Sequence, residues 1–531
     1  MKKRRLLAGL LSITLCVTTI GCGSTSNNTL DTTGEGKKAE KQMSTSGETS
    51  ITIATNKDLK DYRPWGGAND MLLYFQVYDT LVSIDSEGEY VPMLAESWEM
   101  ADDGMSFTFK LREGVLFQNG NTMTADDVVF SINAALESGK VTTYSYGMDH
   151  MEVVDEYTVK LVMAEPYPEV LGELALTFFS IVDKSVAEKL DPAQWSLEEI
   201  TGAGCGAYIL SEVESGSHMT LTAFEDYWGG APEIDTVIMQ IITDESTAVV
   251  ALETGDVDFC YNITKFNYDK LIQLDSISTG EQECRQLVYV PVNVSEQNNN
   301  SPIQDKKVRQ AINYALDREA LNIIFSDGFG TITSNGNLPG EIGYNEDTQV
   351  RRDLEKAKQL MAESGYPDGC TLTMLICTAF NSGFKSITEV IQAELAEIGI
   401  TLEVIDQPMA SFFDSLRTMD YGDFTLLTME GQWPDPFYFY GALVRSPKYS
   451  SLNYSGNENP ELDDLIRKLR TLTDDKEKQA GADQLMDIYY DECTLLTLMF
   501  ASPRKIAWNA QLEGVELNAQ GYYDIATWTF K

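Results

Sequence analysis

Histidine is nearly missing from the chain: His150 and His218 are the only two in 531 residues. Proton transfer near neutral pH and imidazole ligation of a metal therefore have few candidate groups. The spacings that accompany common catalytic chemistry are absent as well. There is no H-E-x-x-H, no G-x-S-x-G elbow, no G-x-x-x-x-G-K-[ST] loop and no C-x-x-C pair. "GAGCGAY", residues 202–208, has alternate glycines but precedes a strand-like run and opens no helix, so it predicts a tight turn with positive φ and no dinucleotide loop. Basic residues are scarce: 39 Lys and Arg stand against 82 Asp and Glu, a formal charge of -43. Such a surface repels nucleic acid and anionic membrane faces. With so many carboxylates, close acid pairs arise by chance and single out no glycosidase.

No apolar run reaches the roughly 20 residues of a membrane span. The longest, "LLAGLLSITLCVTTI", follows "MKKRR" and has the form of a signal peptide over residues 1–21. Gly21-Cys22 at its end resembles the bacterial lipobox, although Thr19 stands where leucine is usual. That resemblance implies a diacylglyceryl thioether on Cys22 as the mature N-terminus, and two acyl chains give stable anchoring. Residues 22–49 then read as a polar tether, too poor in aromatic and branched aliphatic residues to order itself. The body is predicted to stand on the extracytoplasmic face of the cell membrane.

With 43% hydrophobic and 10% aromatic residues, the rest of the chain can fill a large core in two or more lobes. Cys205, Cys260, Cys284, Cys370, Cys377 and Cys493 read as buried thiols, with disulfides the alternative in an oxidising exterior. "TSITIAT" predicts a strand, "MLLYFQVYDTLVSID" a helix, and "MSFTFKL" and "YTVKLVM" half-buried strands. Thr124 is the expected N-cap of "ADDVVFSINAALES". His218 falls at a strand start. "SPIQDKKVRQAINYALDREALNIIF" reads as one amphipathic helical stretch, and "RRDLEKAKQLMAESGY" as a helix closed by Gly365. "TLTMLICT" and "SITEVIQAELAEIGITLEVIDQ" form a strand, helix, strand unit of a parallel sheet.

Residues 95–132, "AESWEMADDGMSFTFKLREGVLFQNGNTMTADDVVFSI", resemble the signature of the family 5 extracellular solute-binding proteins, the peptide, nickel and opine receptors of ABC importers. Ala95 to Trp98, Asp103-Gly104, Leu111-Arg112, Gly114 to Phe117 and Ala125 to Ser131 carry it. Later stretches such as "AFEDYWGG", "VRQAINYALDREAL" and "NPELDDLI" extend it to the C-terminus. These residues look structural: Gly104 and Gly114 suit turns, and Arg112 awaits an acid.

The resemblance implies an α/β, two-lobed periplasmic-binding-protein-like fold of type II, with an extra subdomain at about 92–200. Lobe I would comprise residues 50–292 plus 502–531, and lobe II residues 293–501. The lobes would close on a solute. It implies further that no bond is made or broken, that no cofactor or metal is carried, and that the protein would be a monomer whose partners would be ABC permease subunits with a cytoplasmic ATPase.

The candidate cleft stretch is "EGQWPDPFYFYGALVRSPKYSSLNYSGNENPELDD", residues 430–464. In peptide-binding members an aspartate about three residues before the D-P dipeptide holds the peptide amine; here that position is Gln432, beside Trp433 and Asp435-Pro436. Asp435 is either a substitute cation partner or a turn residue. Trp433, Tyr438 and Tyr440 pack either against a ligand or in the lobe's core. Met71 matches a pocket methionine of nickel-binding members, Tyr144 falls near a pocket aromatic, and Tyr454 completes the candidate set. "TFFSIVD" after "GELAL" lacks the arginine that nickel-chelate receptors use there. Short peptides or peptide-like solutes are thus the expected ligands. A nickel chelate or other small solute, a sensor or adhesion role, and a hydrolase on the same scaffold are the alternatives.

Overall fold

The computed structural model describes residues 49–531 apart from 60, 67–70, 192–194, 283–285, 431–434 and 502. Cys22, the tether up to residue 48, Cys284, Gln432 and Trp433 therefore lie outside the described residues.

The first strand, Ser50–Thr55, is the β-branched run "SITIAT"; Ile51 and Ile53 are fully buried and its partners lie on both sides. It pairs in parallel with Thr236–Ile241 and Phe259–Tyr261. This sheet has seven strands, ending at Tyr208–Glu214 on one side and at Arg504–Asn509 and Ile277–Gln282 on the other. A four-stranded antiparallel sheet of Ala95–Met100, Ser106–Leu111, Thr158–Met163 and Met148–Asp155 stands apart within the same half of the chain. The second half builds its own sheets: one of Thr331–Ile332, Leu495–Phe500, Gln286–Pro291 and Leu427–Glu430, and a parallel one of Ile400–Asp406, Cys370–Ile376 and Phe424–Thr425. The parallel pair Cys370–Ile376 and Ile400–Asp406 is bridged by the Phe384–Ala396 helix, as the pattern predicts.

Among the described residues no strand pairing joins the two groups. The chain passes from one to the other between Gln282 and Gln286 and returns between Phe500 and Arg504. The Gln286–Pro291 strand, assigned to the first lobe from sequence, pairs with strands of the second group. Apolar packing nevertheless runs across the boundary, from Ile51 and Trp528 to Tyr438 and Leu485. Each fully buried large side chain there contributes roughly 2–3 kcal/mol.

Local differences from the sequence reading have physical causes. The helix expected over "MLLYFQVYDTLVSID" stops at Val77, and Val82–Ile84 is a strand. The Val77 carbonyl is captured from outside the helix by Gly206 N–H at 3.0 Å and Gln118 Nε2 at 3.1 Å. The same contact corrects the reading of "GAGCGAY". Of its three glycines only Gly202 has positive φ, +87°, whereas a Cβ at Gly204 or Gly206 would lie 2.2 Å from Val77 O or 2.5 Å from Val77 C. These two glycines serve close backbone approach.

The stretch from 302 to 326 is two helices, Lys306–Ala315 and Arg318–Ser326, because Leu316 is extended and Asp317 caps the second through Ala320 N–H. The Leu354–Glu363 helix ends at an extended Ser364, while Gly365 N–H donates to Asp305 Oδ2 at 2.7 Å, so Gly365 is no left-handed cap. Other expectations hold. Thr124 forms a capping box with Asp127, His218 opens its strand, and Gly104 and Gly114 have φ of +66° and +77°. Arg112 lies 3.8 Å from Glu96, but it also donates to Met93 O at 2.6 Å and stacks on Trp228 at 4.5 Å. Cys205, Cys260, Cys377 and Cys493 are buried free thiols and Cys370 is a half-buried one.

Candidate functional site

Aromatic rings from both halves of the chain pack in or against one hydrophobic cluster. From the first half, Tyr144 ends the short turn Thr142–Tyr144, and its ring stacks on Phe178 with centroids 4.8 Å apart and planes 28° off parallel. Both are only partly buried. From the second half come Tyr289, inside the Gln286–Pro291 strand, Tyr438, at the start of the Tyr438–Leu443 helix, and Tyr454, in the loop beyond it. Tyr421 donates its hydroxyl to Tyr454 O and so holds that loop. The hydroxyls are close enough to influence one another. Burial pushes Tyr144 up to about 12, with Tyr454 adding to the effect, and burial, with Tyr454 and Tyr144 adding to it, raises Tyr289 well above its ordinary value. Tyr144, Tyr438 and Tyr454 are therefore within electrostatic reach of one another. Tyrosines suit solute recognition because each combines a flat apolar face with a hydroxyl that both donates and accepts.

Beside this aromatic group lies a buried ionic cluster that ties the halves together. Arg470, near the end of the Pro460–Arg470 helix, donates through Nε to Asp435 Oδ2 at 2.6 Å. Its Nη2 donates to Tyr167 OH at 2.7 Å and to Glu173 Oε1 at 3.1 Å, and Tyr167 OH donates to Asp435 Oδ2 at 3.2 Å. The guanidinium also lies over Tyr146 at 3.9 Å and Tyr167 at 4.3 Å. A second contact crosses at Lys478 and Glu169, 3.5 Å apart. Burial pushes Glu173 up to about 7, aided by Asp435 and opposed by Arg470.

Asp435 is thus both a turn residue and a cation partner, but the cation is the protein's own. Oδ1 accepts from Phe437 N–H at 2.8 Å and Oδ2 is taken up by Arg470 and Tyr167. Tyr438 and Tyr440 are equally buried, each 1% exposed, and the Tyr440 hydroxyl donates to Asn337 Oδ1 at 2.7 Å. Met71 is the first residue of the Met71–Val77 helix. Arg470, Glu173, Tyr167 and Phe178 were not anticipated. One of them left a signal: Arg470 stands eight residues after Leu462, in register with Ile466 on the helix's apolar face, where a lone arginine demands a partner.

Residues 89–451 match the family model "Bacterial extracellular solute-binding proteins, family 5 Middle". The chain belongs to this family. Among curated relatives, heme-binding protein A of Haemophilus influenzae is 29% identical over 436 residues, covering 76% of this chain and 78% of the relative. The dipeptide-binding protein of Escherichia coli is 28% identical over 463 residues, covering 82% and 84%. Of solved structures, a dipeptide-binding protein from Pseudoalteromonas sp. SM9913 in complex with Met-Leu superposes with a TM-score of 0.81 at 22% identity, covering 91% of this chain and all of that one (100%). AgaA of A. tumefaciens R10 in complex with agropinic acid gives 0.79 at 24% identity, covering 91% and 99%. These likenesses show the two-lobed fold. The protein is an extracytoplasmic solute-binding receptor.

Proposed function

We propose that this family 5 receptor captures short peptides or peptide-like solutes between its lobes and delivers them to an ABC permease driven by a cytoplasmic ATPase, without chemistry on the solute. The observation that carries the reading is the aromatic group to which both halves contribute, Tyr144 and Phe178 from one and Tyr289, Tyr438 and Tyr454 from the other. Similarity to the dipeptide-binding protein of E. coli supports peptides as the solute class. The rings give stacking area, and their hydroxyls suit main-chain amides whatever the side chain.

Tyr144→Ala removes one wall of this site from a turn, not from the core. Binding of a mixed di- and tripeptide pool, followed by calorimetry, is expected to weaken at least tenfold with an unchanged circular dichroism spectrum. Unchanged affinity would remove Tyr144 from the site.

For Cys22 we propose lipidation and anchoring to the extracytoplasmic face of the membrane, on the strength of the Gly21-Cys22 seam after the apolar run. In cell fractionation, Cys22→Ala is expected to move the protein from the membrane to the soluble fraction. Retention in membranes would contradict the anchor.

A further inference from the structure

Past the Tyr438–Leu443 helix the chain buries a positive charge and leaves it unneutralised. Arg445 is 4% exposed, and its Nε is enclosed without a hydrogen-bond partner. Among the described residues its guanidinium donates no hydrogen bond and meets no carboxylate within ion-pair distance. What surrounds it is aromatic: Cζ lies 4.4 Å from the ring centroid of Tyr449 and 5.1 Å from that of Tyr146. Cation–π contacts of this kind offset only part of what burying an unpaired charge costs. The arrangement is therefore unfavourable as it stands.

Scarcity of acids is not the cause, since the chain has 82 of them. The carboxylates nearby are engaged elsewhere. Asp463 accepts from Ser446 N–H at 2.8 Å and Ser446 Oγ at 2.6 Å. Asp435 and Glu173 hold Arg470, and Glu165, which acts on Tyr146 and on Arg467, makes no ion pair with Arg445. The backbone around the arginine is fixed as well: Asn453 Nδ2 donates to Arg445 O at 2.7 Å, while Asn453 Oδ1 accepts from Ser455 N–H at 2.9 Å and Ser455 Oγ at 2.7 Å. The cation is thus held in place with its donors free. It lies beside the ionic cluster that joins the halves, because the Tyr146 ring that it faces also carries Arg470 at 3.9 Å and packs on Tyr167 with centroids 5.1 Å apart.

We propose that Arg445 is an anion-recognition residue of the cleft, receiving a carboxylate or phosphate group of the solute between Tyr146 and Tyr449. The proposal rests on the solute-receptor reading and adds to it the charge of the solute. A planar guanidinium with five donors matches both oxyanions, and the desolvated surroundings strengthen a charge-assisted pair.

The test compares the full-length protein with Arg445→Gln and Arg445→Met. Four probes are titrated: the dipeptide Ala-Phe, its C-terminal amide, glutarate and inorganic phosphate. The wild type is expected to bind Ala-Phe at least tenfold more tightly than the amide, and Arg445→Gln to bind the two within about twofold of each other. A tenfold preference that survives in Arg445→Gln overturns the proposal. Should the wild type bind neither peptide form, the peptide reading fails and the anions decide. Glutarate or phosphate raising the melting midpoint of the wild type alone supports an anion site and says which oxyanion fits; an equal response, or none, in both proteins overturns it. Without ligand, Arg445→Met is expected to melt no lower than the wild type. A lower midpoint with an unaltered anion response would make Arg445 a structural cation and overturn the proposal.

Discussion

Replacing Arg470 with alanine lowers the unfolding free energy by about 3–5 kcal/mol at neutral pH, the cost of removing one partner from a buried ion cluster. Asp435 and Glu173 have side chains only 3% and 1% exposed, so neither gains water in exchange for the lost guanidinium. Glu173 Oε2 is already enclosed without a hydrogen-bond donor, which leaves the pair no slack. Tyr167 also loses the donor on its hydroxyl, and Tyr146 the cation on its face. Because the cluster joins residues 146–173 to residues 435–470, the loss extends beyond the local helix. The two halves lose part of what holds them together, and small-angle scattering should report a larger ligand-free radius of gyration. Adding Glu173→Gln to the variant removes one of the stranded charges and should restore part of the stability. Chemical denaturation decides: an Arg470→Ala variant within about 1 kcal/mol of the wild type would show that the cluster contributes little.

The second large effect is a loss of stability as pH rises from about 5 to 8, opposite to the trend of proteins whose carboxylates are mostly salt-bridged. Three buried carboxyls titrate high: burial pushes Asp79 up to about 8 despite the Trp228 indole donor at 2.5 Å, and pushes Glu173 and Glu394 up to about 7. An acid whose folded-state pKa exceeds its unfolded one binds its proton more tightly when folded. Its stabilisation is complete below the unfolded value, near 4, and disappears as pH passes the folded value. Glu173 alone accounts for on the order of 1–3 kcal/mol across that window.

At the acid end the sign reverses. At Asp61 burial is outweighed by Arg63, and at Asp183 burial is outweighed by Asn119 and Asn121, so both carboxyls sit below the usual range and their contribution is lost under about pH 4. The melting midpoint should therefore peak near pH 4–5. Glu173→Gln should flatten the fall between pH 5 and 8 and match or exceed the wild type at pH 8. A midpoint that climbs to pH 8, unaffected by Glu173→Gln, would contradict the assignment.

How far the sequence reveals this molecule depends on the range of the interactions involved. Elements set by local patterning were legible: the β-branched alternation of Ser50–Thr55, the Thr124 capping box, and the parallel unit around Phe384–Ala396. Elements decided by distant contacts were not. The early end of the Met71–Val77 helix is imposed by Gly206 and Gln118, far along the chain, and no periodicity in "MLLYFQV" carries that information. The break at Leu316 was visible in hindsight as an aspartate cap at Asp317 within an otherwise continuous amphipathic pattern.

The site divides in the same way. Aromatic residues in a glycine- and proline-rich stretch led to Tyr438 and Tyr454, and alignment to the family pattern led to Tyr144. The counter-charge of Asp435 was beyond reach, since Arg470 lies 35 residues away and Glu173 is 297 residues from Arg470. Arg445 gave no sequence signal at all. Its significance lies in which carboxylates do not reach it, and only three-dimensional placement reveals that.

A receptor of this kind binds a solute and releases it unchanged. Native mass spectrometry of the purified full-length protein, recorded before and after mild unfolding, reads this out. One equivalent of small solute is expected to be lost on unfolding, in a distribution of peptide masses, with the same masses recovered intact after prolonged incubation. A protein that emerges without solute and takes up none from a peptide mixture, or one that returns the solute cleaved, would contradict it.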